Sequence, residues 1–180
     1  MCKRFKLTTS PQALADLLEL AELPAWEPRH NISPRQRVLV VRQDPVTRQK
    51  TAALVTWGSV TDWSHDSAIF IIARSEAITE TRSFANAIRN RRCLSAADGY
   101  YEWVKRGGRK QPHLIQLKDR RPFAFAGFWK QLSEDNGTGT TTCLILTMAA
   151  SLQPEPLTFG FRLRRAASHR GCSTQAGPHS

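Results

Sequence analysis

The second residue of the chain is a cysteine, in Met1-Cys2-Lys3-Arg4-Phe5. Initiator methionine is commonly removed when a small residue follows it, and removal here would set an α-amine and a thiol on adjacent carbons. Such a pair traps aldehydes. The amine, with a reference pKa of about 7.7 to 8, is substantially unprotonated near neutral pH and forms a Schiff base, which a thiol near about 8.5 closes into a five-membered ring. A bystander cysteine near a terminus shows the same position, so the chemistry needs further residues to support it.

Charge suggests what such a nucleophile would meet. Of 180 residues, 26 are Lys or Arg and 15 are Asp or Glu, a formal net charge of +11. The excess is concentrated between Arg74 and Arg121, where twelve basic residues face five acidic ones. Arginine dominates there and suits bidentate phosphate contact, while Trp26, Trp57, Trp63 and Trp103 offer flat faces for unpaired bases. A basic surface over core tryptophans has the same composition, and both readings stay open.

The elements that must position these groups read as one β-rich domain with two helices. Ser10-Pro11 is a helix start, with Leu14, Leu17, Leu18 and Ala21 at helical spacing up to Pro24. Pro24, Pro28 and Pro34 mark an irregular segment. Strands are predicted over 37–42, 51–57, 68–73, 93–95, 100–105, 113–117, 122–129 and 141–147, with a short helix over 83–90. Gly107-Gly108 predicts a hairpin turn. From Phe161 onward the chain is rich in Arg, Ser, Gly and Ala, and the expectation is disorder without strand or helix. Cys2, Cys93, Cys143 and Cys172 have no C-x-x-C spacing, which argues against a zinc site or a disulfide scaffold. No apolar stretch approaches the roughly 18 to 20 residues of a membrane span, so the expectation is a cytoplasmic protein with no membrane partner.

Four pieces in order carry a resemblance: Met1-Cys2-x-Arg4-Phe5, Asn31-Ile32-Ser33-Pro34, Trp57-Gly58 with Trp63, and Ala73-Arg74-x-Glu76 followed by Ala97-Asp98-Gly99-Tyr100-Tyr101-Glu102-Trp103. Together they resemble the SOS response-associated peptidase family, the abasic-site processing proteins. The resemblance implies an α+β fold of mostly antiparallel strands in a barrel-like arrangement with flanking helices, over residues 1–152, followed by a divergent or truncated tail, 153–180. It implies that Cys2, freed of Met1, captures the aldehyde of an abasic site in single-stranded DNA as a thiazolidine, with Glu102 moving protons. It further implies that Arg4, Arg74 and Arg82 hold phosphates and that Pro34 and Trp63 support displaced bases. Trp57 is assigned to the core. The implied activity classes are self-processing protease, hydrolase and lyase in the DNA damage (SOS) response, carried by a monomer with no metal or organic cofactor.

Three departures from the family pattern accompany the resemblance. Lys3 stands where the family has glycine, and Ile72 where it has asparagine. After the strand over 141–147, the family's histidine-bearing segment is replaced by Gln153-Pro154-Glu155-Pro156-Leu157. No catalytic histidine is assigned, and His30, His65 and His113 are given no role. The alternatives are a non-catalytic binder of single-stranded nucleic acid and an inactive truncated relic.

Overall fold

Short β-branched and aromatic runs parted by polar turns fold as strands along most of the chain. The computed structural model describes residues 3–44, 46–60, 69–78, 82–132, 139–148 and 172–176. In chain order the strands are β1 (Phe5–Leu7), β2 (Arg29–Ile32), β3 (Arg37–Gln43), β4 (Lys50–Trp57), β5 (Ser59–Val60), β6 (Ile69–Phe70), β7 (Ile72–Arg74), β8 (Arg92–Ala97), β9 (Gly99–Arg106), β10 (Arg109–Leu117), β11 (Phe123–Leu132), β12 (Thr140–Thr147) and β13 (Cys172–Ala176). Helix α1 (Pro11–Leu18) follows β1, and α2 (Arg82–Asn90) follows β7. No helix among the described residues is long and apolar enough to cross a membrane.

Five strands close on themselves in the order β11-β8-β3-β4-β12, because β11 also pairs with β12. All joints of this barrel are antiparallel except β4 with β12, and β7 pairs in parallel with β12 further along the edge that β4 occupies. Closure satisfies the backbone groups that an open edge would leave unpaired. The second layer is an open sheet in the order β13-β10-β9-β1-β2, with β5 and β6 forming a separate two-stranded piece. Phe5 joins the layers: it is fully buried, with its ring centroid 5.1 Å from that of Trp57 and 5.6 Å from that of Phe125. Trp57 is itself fully buried and donates from Nε1 to the Ile71 carbonyl at 2.8 Å, so its assignment to the core holds.

The cap signal behaves as expected. Ser10 accepts from the Ala13 amide with Pro11 at the first helical position, and Leu14 and Leu18 are buried. The helix stops sooner than Pro24 because Glu19 adopts a left-handed conformation, and Lys50 then reaches both its carboxylate and the Leu18 carbonyl. Gly107 and Gly108, at φ 55° and 79°, make the hairpin between β9 and β10. The positive φ at both positions is the type I′ pattern that glycine adopts without strain.

Two expectations need correction. The irregular segment contains β2, and the tail contains a strand: Cys172–Ala176 pairs antiparallel with β10, from His113 opposite Ala176 to Leu117 opposite Cys172. Neither strand has a side-chain period, because an open sheet edge recruits backbone N–H and C=O groups whatever the side chains are.

Candidate functional site

Glu102 lies in β9, half-buried, on the face of that strand that carries Tyr100. Tyr100 packs its ring against Phe125 at 6.0 Å, so this face looks toward the barrel. The sheet holds the start of the chain against the same strand. Phe5 pairs with Tyr100, Lys6 pairs with Gly99, and the Tyr101 amide donates to the Arg4 carbonyl at 2.9 Å. On its other edge β1 pairs with β2, where Arg4 Nη1 donates to Asn31 Oδ1 at 3.1 Å and the Tyr101 hydroxyl donates to the His30 carbonyl at 2.9 Å. The N-terminal strand is thus clamped from both sides, and Arg4, just before β1, lies alongside the strand that carries Glu102.

Asp98 fixes this clamp from behind. Its carboxylate is buried and accepts from the backbone amide and hydroxyl of both Thr8 and Thr9, the residues that follow β1. Burial alone would push the carboxyl upward, but the four donors outweigh it and hold the pKa below the ordinary value. Its amide also donates to the Lys6 carbonyl at 2.8 Å. Gly99, next in sequence, is required by close approach: a Cβ there would lie 2.8 Å from Gln116 Cγ and 2.9 Å from the Ile115 carbonyl oxygen. Asp98-Gly99 is therefore the joint that sets β9, and Glu102 on it, against β1 and β10. Sequence reading gave Asp98 no role, since its partners lie 90 residues away.

The other expected site residues are distributed over the layers. Arg74 ends β7 on the barrel sheet and is exposed, beside Thr147 in register. Ile72, two residues before it, is half-buried against the core opposite Ile145, an apolar contact that its hydrocarbon side chain suits. Pro34 is half-buried in the turn from Ser33 to Gln36 between β2 and β3, with Arg35 at φ 70° where a type II turn requires a positive angle. Arg82 begins α2. Cys2, Trp63 and His65 lie outside the described residues.

His113 is directly opposite Glu102 in the β9–β10 ladder, and its Nε2 is buried without a hydrogen-bond partner among the described residues. Opposed residues of an antiparallel pair have Cβ atoms about 4.5 to 5.5 Å apart, so the two side chains start as neighbours on one face of the hairpin. A lone histidine in a strand carries no sequence signal of this; only the register shows it. Cys172 begins β13, opposite Leu117, while Cys93 and Cys143 are free and buried in the barrel. Burial pushes the Cys93 thiol well up and raises Cys143 to about 12, so neither is a ready nucleophile. Among the described residues no group of His, Cys, Asp or Glu is arranged to hold a metal ion.

Comparison with known proteins agrees with this architecture. The family profile described as SOS response associated peptidase (SRAP) matches residues 1–158, past residue 152 where the sequence reading draws its boundary. The chain is 31% identical over 154 residues to the abasic site processing protein YoaM of Bacillus subtilis, covering 82% of this chain and 67% of that protein. It is 33% identical over 159 residues to the abasic site processing protein YedK of Escherichia coli, covering 83% and 68%. A crystal structure of a phage-related protein from Bordetella bronchiseptica superposes with a TM-score of 0.65 at 26% identity, over 82% of this chain and 69% of that one. By profile, relatives and fold, this chain belongs to the SOS response associated peptidase family.

Proposed function

We propose that this protein processes abasic sites in DNA by forming a covalent link through Cys2 once Met1 has been removed. The observation that carries the reading is the docking of β1 on β9. The Arg4 carbonyl accepts from Tyr101, the neighbour of Glu102, and Cys2 is only two residues upstream, a reach of at most about 7 Å. Relatives named abasic site processing proteins supply the substrate class.

In this reading Glu102 takes the proton of the sugar hydroxyl and returns it to the ring oxygen as the abasic deoxyribose opens to its aldehyde. The Cys2 amine adds to the aldehyde carbon, protons pass through Glu102, and water leaves to give the imine. The thiol sulfur then bonds to the imine carbon while its proton goes to nitrogen, closing the thiazolidine. General acid–base catalysis of this kind contributes roughly 10²- to 10⁴-fold. Removal of Met1, the protease activity in the family's description, precedes the reaction, because an acylated amine cannot add. The partner is single-stranded DNA carrying the lesion, contacted by Arg4, Arg74, Arg82, Pro34 and Trp63, and the protein acts as a cytoplasmic monomer without cofactor.

Mature protein incubated with single-stranded DNA containing one abasic site is expected to give a complex that survives denaturation. Cys2→Ala abolishes it, and Glu102→Gln slows it by roughly 10²- to 10⁴-fold. Equal crosslinking by Cys2→Ala would refute the mechanism. A second reading, binding without chemistry, is favoured by Trp103, which is 41% exposed beside a basic hairpin. An intact mass that retains Met1 in the purified protein would support that second reading.

A further inference from the structure

The β9–β10 hairpin runs on past Glu102 into solvent and ends in four cations. Arg106 stands opposite Arg109, and Lys105 opposite Lys110. All four are exposed, and none makes a side-chain hydrogen bond or ion pair among the described residues. Like charges directly opposite each other destabilise a ladder, so this tip carries an unfavourable arrangement that a polyanion would relieve. No acidic residue occurs between Glu102 and Asp119, a stretch that includes the whole turn.

The pleat divides the four. Side chains alternate along a strand, so Glu102, Val104 and Arg106 share one face, and Arg109, Gln111 and His113 lie opposite them on that face. Lys105 and Lys110 project from the other. Between Glu102 and the arginines lies Val104, 44% exposed, an apolar step with no charge on it.

We propose that Arg106 and Arg109 form a phosphate clamp for the single strand flanking the lesion, deepening the function above and resting on it for the position of the lesion at Glu102. Four residues of strand at about 3.4 Å each put the clamp about 14 Å from Glu102. The phosphates it holds therefore belong to the flanking single strand, a few nucleotides from the abasic site. Arginine's planar fork suits two phosphate oxygens at once, and paired forks at a hairpin tip bracket a backbone without reading its bases.

Salt-dependent binding to undamaged single-stranded DNA, in a Cys2→Ala background, tests this independently of the covalent step; a protein that never crosslinks would fail the function above yet still report on the clamp. Each single-strand phosphate contact contributes about 0.7 to the slope of log affinity against log salt. Arg106→Gln with Arg109→Gln is expected to flatten the slope by about 1.4, and each single variant by about 0.7. Lys105→Gln with Lys110→Gln, on the opposite face, is expected to change it by less than half as much. With single-stranded DNA that carries one abasic site, removing the flanking strand on the clamp side of the lesion should erase the difference between the arginine variant and the parent. An unchanged slope in the single or double arginine variants, or an equal effect from the lysine pair, overturns the clamp.

Discussion

The Asp98 carboxylate gives the most quantitative test of how the N-terminal strand is held. In Asp98→Asn the side chain keeps its shape, and the amide oxygen can still accept from Thr8 and from the Thr9 amide, while its NH₂ turns to the Thr9 hydroxyl. What is lost is the charge, and with it the extra strength of hydrogen bonds to an ionised acceptor, which are worth about 1.5 to 3 kcal/mol each against about 1 for neutral ones. Because the four bonds share one buried carboxylate, the losses do not add fully; about 2 to 3 kcal/mol is expected in all. For a chain of this size that is about 5 to 10 °C in melting temperature. The direction with pH follows from the depressed pKa. A carboxyl held lower in the folded state stabilises fully above its unfolded pKa of about 3.9 and loses that contribution as pH falls through the folded value. Melts followed by circular dichroism at pH 7 should therefore separate parent and variant, and the gap should close in acid below the folded pKa. A variant melting within about 1 °C of the parent at pH 7, or a gap that persists undiminished in acid, would refute the reasoning.

Gly99→Ala is expected to cost about 1 to 3 kcal/mol by overpacking, because the Ile115 carbonyl cannot yield as a side chain would; a urea midpoint unchanged from the parent would remove the close-approach argument. Cys93 and Cys143 should stay unlabelled by a thiol reagent at pH 8 in folded protein and react on unfolding, as mass spectrometry of the labelled peptides would show. Labelling of Cys143 at the rate of a free thiol would contradict its burial.

What sequence could disclose depended on how local the cause was. Ser10-Pro11 and Gly107-Gly108 set their helix start and turn through immediate neighbours, and both lie where their chemistry predicts. Arg29–Ile32 is polar and unpatterned, and becomes a strand only because β1 offers it a ladder. The same limit governs the site. Glu102 was legible as one residue of a motif, whereas its apposition to His113 needs the hairpin register, and the clamp of Asp98 on Thr8 and Thr9 joins distant points of the chain. The parallel joint of β4 with β12, which completes the barrel, likewise leaves no local trace.

The clamp on β1 also sets an order of events during synthesis. Thr8 and Asp98 are 90 residues apart, so at about 5 to 20 residues per second a ribosome takes roughly 5 to 20 s to follow one with the other. For that interval the first strand has been made but its partners on β9 have not. Pairings of such long separation are also the slow ones in folding, since the loop between them must be closed before the contact is gained. The start of the chain therefore spends seconds without its β9 partner before that strand arrives to hold it.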